Sequence, residues 1–143
     1  MATIVVGVDN SARASGVLAE AVALARPEDE LLVLRAIGSL ADLPAGVLTV
    51  SRDGLLQELT DVHQQQLDEL VRPYRDDARL RAEIRHGEPW EALCDAARAS
   101  GARLMVIGAH GHRALGRLLG TTASRVLERA PCTVVAVRAL GAP

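Results

Sequence analysis

The sequence contains no lysine: all 16 basic residues in its 143 are arginine. That absence excludes Schiff-base chemistry, the lysine of a Walker A loop, and every mechanism in which a lysine ammonium meets a phosphate as a point charge. Cysteine is scarce, and Cys94 and Cys132 form no CxxC pair. They read as small buried hydrophobes, not as a disulfide, redox or metal centre. No run approaches the roughly 20 apolar residues that span a bilayer, and the chain enters a strand with no basic, cleavable leader before it, so the expectation is a cytoplasmic protein. A net charge of −2 supplies no concentrated basic face for nucleic acid or an anionic membrane. With 49% hydrophobic residues, residues 1–143 read as a single domain with one sizeable core, which takes a small ligand or a protein partner.

Apolar patterning sets the order of elements. Thr3 to Val8 is a β-branched run, followed by a helix with Ser11 as N-cap and Ala14, Leu18, Ala21, Val22 and Ala25 on one face. Leu31 to Ile37 is a second strand, and Gly38 to Val50 a loop long enough to suspect function. Ser51 then caps a long helix whose Leu55, Leu59, Val62, Leu67, Leu70, Val71 and Tyr74 recur at helical spacing. Ala78 to Arg85 alternates Leu80, Ala82 and Ile84 with charged residues, the period of a strand with one wet face at a sheet edge. Gly87-Glu88-Pro89 opens a helix that Gly101 ends, before a strand at Arg103 to Ile107. A helix from Thr122 to Arg129 and a strand at Thr133 to Val137, apolar at successive positions and so expected to be buried on both faces, complete the chain.

Strands alternating with helices predict an α/β fold: a doubly wound, five-stranded parallel sheet of order 3-2-1-4-5 with helices on both faces. Ligands in such folds bind at the carboxyl ends of the strands where the winding reverses, here between the first and fourth. The fifth strand is an apolar edge, which predicts a homodimer joined through Thr133, Val134, Val135, Ala136 and Val137.

The fourth strand leads into Gly108–Thr122, GAHGHRALGRLLGTT. A glycine-punctuated loop between a strand and a helix presents main-chain N–H groups toward one point, which suits an anion and most often phosphate. Gly7-Val8-Asp9-Asn10 ends the first strand beside it, so both turns line one crevice. Each feature has a structural alternative. The glycines could serve a tight turn and close packing, Asp9 could cap a helix, and Thr121 and Thr122 would cap theirs with or without a ligand. His110, His112, Arg113 and Arg117 cluster on the loop; Arg113 is the favoured phosphate contact, and the two histidines lack a third metal ligand. Trp90 packs the start of its helix or stacks on a base. His63 and His86 read as incidental, and no nucleophile–base pair or acidic cluster supports catalysis.

IVVGVDNS at the N-terminus, GEPWEALCDAA and LMVIGAHGHRALGRLLGTTASRVLERAPCTVVAVR together resemble the universal stress protein family over essentially the full length. The resemblance implies an adenine nucleotide alpha hydrolase-like fold. It also implies an adenine nucleotide, ATP foremost, accompanied by magnesium where the nucleotide brings it, and a role as a stress-response sensor or regulator with at most slow hydrolysis. By the same resemblance Gly108, Gly111, Gly120 and Thr121 hold the phosphates, Asp9 lies near ribose or adenine, and adenine meets the backbone at Ala36 and Ile37. The chain departs from the family's pattern at Asn10 and Arg103, and in having eight residues, where nine are usual, between Gly111 and Gly120. That shorter loop motivates an alternative, a nucleotide-free dimeric interaction module. A phosphoaspartate receiver is disfavoured, because no aspartate ends the third strand and no lysine exists to meet a phosphoryl group.

Overall fold

The computed structural model describes residues 2–38, 52–110 and 119–138. Among these, five strands alternate with four helices: β1 (Thr3–Gly7), α1 (Ala14–Leu24), β2 (Glu30–Ile37), α2 (Arg52–Val71), β3 (Leu80–His86), α3 (Pro89–Ser100), β4 (Leu104–Gly108), α4 (Thr121–Arg129) and β5 (Thr133–Val137). Every strand pairing is parallel and the order is β3-β2-β1-β4-β5, as the alternation predicts. At the centre Val5 lies beside Leu32 on one side and Met105 on the other.

The two-residue period of the strands divides the core between the faces of the sheet. Ile4, Val6, Leu31, Val33 and Val106 pack against Val17, Leu18 and Ala21 of α1 and Leu67 of α2. Val5, Leu32, Leu34, Met105 and Ile107 pack against Leu93 and Ala97 of α3 and Ala123 and Val126 of α4. β3 matches its alternation, with Leu80, Ala82 and Ile84 turned to the first of these clusters. Both ends of α3 follow from residue type: Pro89 stands in the first turn, where its missing N–H costs nothing, and Gly101 ends the helix at φ 63°.

Four expectations need correction. Ser11 is not the N-cap of α1. Its amide donates to Asp9 Oδ1 (2.9 Å) and its hydroxyl accepts from the Arg13 amide (3.2 Å), a local turn that delays the helix to Ala14. Val62 is 51% exposed, so the buried stripe of α2 is narrower than its apolar spacing suggests. β5 is not buried on both faces: Thr133 is exposed and the remaining four residues are half-buried, because the strand is the outermost of the sheet. β4 begins at Leu104, leaving Arg103 free to turn aside. The expected loop beyond Gly38 and the Ser51 cap lie outside the described residues.

Arg103 has a structural task. At the amino rim of the sheet its Nε donates to Oδ1 of Asp29 (3.2 Å) and its Nη2 to Oδ2, while the Arg26 amide donates to Oδ2 (2.8 Å). Asp29 is 1% exposed, and the Arg103 hydrogen bond, outweighing burial, holds its carboxyl down at about 2. Arg79 adds to this rim, forked onto Asp77 and donating to the Arg26 carbonyl (2.8 Å).

Candidate functional site

At the carboxyl ends of β1, β2 and β4 the sheet opens into a cleft of about 840 Å³. That falls within the range of small-molecule sites, about 300–1,000 Å³. Gly7, Asp9, Ala36, Gly108, His110, Gly120, Thr121 and Thr122 all line this one cleft. Gly111 and Arg113, with His112 and Arg117, lie outside the described residues.

Helix starts converge here because a right-handed crossover returns each helix from the same end of the sheet. The α4 start is the plainest. Its N-cap, Gly120, has extended backbone (φ −63°, ψ 161°) and no side chain caps the helix. Thr121 and Thr122 are therefore first-turn residues and not the caps their type suggests. The amides of Thr121, Thr122 and Ala123 open the helix, where N–H groups lack intrahelical acceptors and the helix dipole favours negative charge. The amide of Gly120 is engaged, donating to the Ala109 carbonyl (2.9 Å), and that of Ala109 donates to Val137 (2.8 Å). At this helix start, among the described residues, the donors available to an anion are thus those after Gly120.

α1 also starts without a side-chain cap, and Arg13 at its N-cap donates from Nη1 to the His110 carbonyl (3.0 Å). This bond ties the turn after β1 to the turn after β4. The glycines differ in what they do. A Cβ on Gly7 would come within 2.8 Å of Leu93 Cδ1 and 3.2 Å of Ile107 Cγ2, so any larger residue there obliges the buried Leu93 side chain behind the cleft to shift. A Cβ on Gly108 would meet Val17 Cγ2 at 3.5 Å, an ordinary contact, so packing does not demand glycine there.

Arg35, which no sequence motif marks, and His63, which reads as incidental in the sequence, both line the cleft. Arg35 is 5% exposed within β2, and among the described residues it makes no ion pair or hydrogen bond. Burial lowers its pKa, opposed by the carboxylate of Asp9. His63 of α2 lines the same cleft, and its Nδ1 is buried with no hydrogen-bond partner among the described residues. Burial first, and then the charge of Arg35, lowers its pKa, so the imidazole is neutral at pH 7. The signals were present. Arg35 shares the parity of Leu31 and Val33, and His63 stands four residues from both Leu59 and Leu67 on the apolar stripe. His86 lies outside the cleft lining, with Nε2 3.3 Å from Thr60 Oγ1. Trp90 is outside it too, packed against the second cluster with the guanidinium carbons of Arg125 and Arg129 5.8 and 5.3 Å from its ring centre.

Set against known proteins, residues 1–138 match the model of the universal stress protein family. The chain belongs to that family. Among solved structures this universal stress protein is similar to the universal stress protein UspA from Lactobacillus plantarum, at 28% identity over 96% of this chain and 97% of that one, with a TM-score of 0.72. It is similar to a universal stress protein in complex with cAMP, at 25% identity, 95% of each chain and a TM-score of 0.60. A universal stress protein from Archaeoglobus fulgidus in complex with dAMP shares its fold at 23% identity, over 95% of this chain and 98% of that one, with a TM-score of 0.65. No curated protein matches the sequence. Among the described residues no helix is long and apolar enough to cross a membrane.

Proposed function

We propose that this universal stress protein binds an adenine nucleotide, ATP foremost, in the cleft between β1 and β4, and acts in the cytoplasm as a homodimeric sensor or regulator of the stress response. The observation that carries the reading is the uncapped start of α4, whose first-turn amides border the same cleft as Asp9 and Ala36. The phosphates sit against Thr121 and Thr122, with Gly108, Gly111 and Gly120 clearing the approach and Arg113 on the loop. Ribose hydroxyls donate to Asp9, and adenine lies along the main chain at Ala36. Relatives with cAMP and dAMP bound support this class of ligand. Magnesium, where present, arrives on the nucleotide, and hydrolysis is at most slow, a reading supported by Asp9 being the single carboxylate in the cleft lining among the described residues.

Calorimetric titration of the full chain with ATP and AMP tests the reading. Saturable one-to-one binding at sub-millimolar concentration is expected, falling at least tenfold in Gly120→Val, which crowds the approach to α4. A flat titration at millimolar nucleotide overturns it. The second reading, a nucleotide-free dimeric module, draws on the engaged Gly120 amide, which leaves one donor fewer for phosphate. It requires that flat titration together with an intact dimer.

A further inference from the structure

Arg35 and His63 pose a problem that the first-turn amides of α4 do not answer. A guanidinium carries five N–H donors and cannot neutralise itself by losing its proton. Buried without acceptors it is among the costlier groups a fold can hold. Arg35 is 95% hidden, yet no carboxylate among the described residues pairs with it, and Asp9 Oδ1 accepts the Ser11 amide instead. Beside the same cleft the buried Nδ1 of His63 has no partner. The two are not bonded to each other, so they do not form a closed polar network of the core. Both residues line the one cavity they share.

What satisfies them is narrowly defined. A cation is repelled by Arg35, and an apolar group leaves every donor unmet. An anionic group with two or more oxygens accepts the guanidinium fork and takes a further bond from His63 in its Nδ1–H form. β2 and β4 flank β1, so the carboxyl end of β2 stands about 10 Å, two strand spacings, from that of β4, the strand that leads toward α4. A nucleoside spans such a gap.

We propose that Arg35 and His63 form a second phosphate subsite of the cleft, so that the preferred ligand is a nucleotide phosphorylated at both ends, on its 5′ oxygen toward α4 and on its 2′ or 3′ oxygen toward β2. This rests on the adenine nucleotide reading above. It assigns ligand choice to a strand residue and a helix residue outside the glycine loop. A largely buried charge with no ion-pair partner among the described residues fits a role in recognition.

The test is calorimetric titration of the full chain with 5′-AMP, adenosine 2′,5′-bisphosphate and adenosine 3′,5′-bisphosphate, and of 5′-AMP in the presence of inorganic phosphate. In the wild type at least one bisphosphate should bind tenfold or more tightly than 5′-AMP, a comparison that needs no variant. Arg35→Met should bring that ratio to about one, while raising or preserving the melting temperature of the ligand-free protein. If inorganic phosphate tightens 5′-AMP binding and the bisphosphates gain nothing, the subsite takes a free anion instead of one carried on the ribose. If 5′-AMP binds and neither a second phosphate nor free phosphate changes its affinity, the subsite is refuted and the nucleotide reading stands. If Arg35→Met weakens every ligand equally and also lowers the melting temperature, Arg35 is structural and the proposal fails. If no nucleotide binds, both readings fall.

Discussion

At the scale of single residues, the two rims of the sheet treat charge in opposite ways. Asp29 is buried and fully engaged, by Arg103 and the Arg26 amide, and its pKa is held at about 2 against an ordinary 3.8. A carboxyl held down in the folded state contributes stability above its unfolded pKa and loses it as the pH falls through the folded value. The contribution is therefore intact above pH ~4 and gone near pH ~2, and with Arg103 partly exposed to screening water it amounts to about 1–2 kcal/mol. Asp29→Asn should lower the unfolding free energy by that amount at pH 7 and converge with the wild type near pH ~2, measured by urea denaturation across pH. The glycines give a second contrast. Gly7→Ala drives a methyl into Leu93 and should cost about 1–3 kcal/mol. Gly108→Ala meets ordinary contacts and should unfold within about 0.5 kcal/mol of wild type. Paired thermal melts of the two variants check this, and equal losses would contradict the packing described behind the cleft.

Among elements, helix α3 is the one whose limits were most completely legible. Pro89 opens it and Gly101 closes it in the left-handed region, with the Ala102 amide donating to the Ala97 carbonyl at 2.9 Å. Gly101→Ala should therefore destabilise by about 1 kcal/mol, read from the same denaturation curves, although open space surrounds the added methyl. The strands were legible for a similar reason: the β-branched run of β1 and the period of two in β3 both follow from backbone geometry. Where the outcome depends on distant neighbours, local pattern was insufficient. Val62 fits the helical stripe of α2 and is exposed, and β5, read as an edge strand buried on both faces, is exposed at Thr133 and half-buried over the rest. In the cleft, the residues with a motif, such as Asp9 and Gly120, could be found from spacing. Arg35 was masked by the apolar run around it and His63 by the length of α2, since neither type signals a site until tertiary packing removes its water.

For the whole molecule, the open question is what covers β5. The Val137 carbonyl accepts from the Ala109 amide, so Thr133, Val135 and Val137 direct their backbone groups to β4, and Val134 and Ala136 direct theirs to the free edge. The proposed homodimer pairs that edge with its copy. Ala136→Pro removes one outward N–H without breaking a bond to β4, and should raise the dimer dissociation constant at least tenfold in analytical ultracentrifugation. A wild-type chain that sediments as a monomer at micromolar concentration would refute the dimer. The ion pair of Asp29 with Arg103 has a further consequence. It sits at the end of the sheet remote from Arg35, so acid tolerance and the proposed selectivity rest on separate residues, and an engineer could harden one without retuning the other.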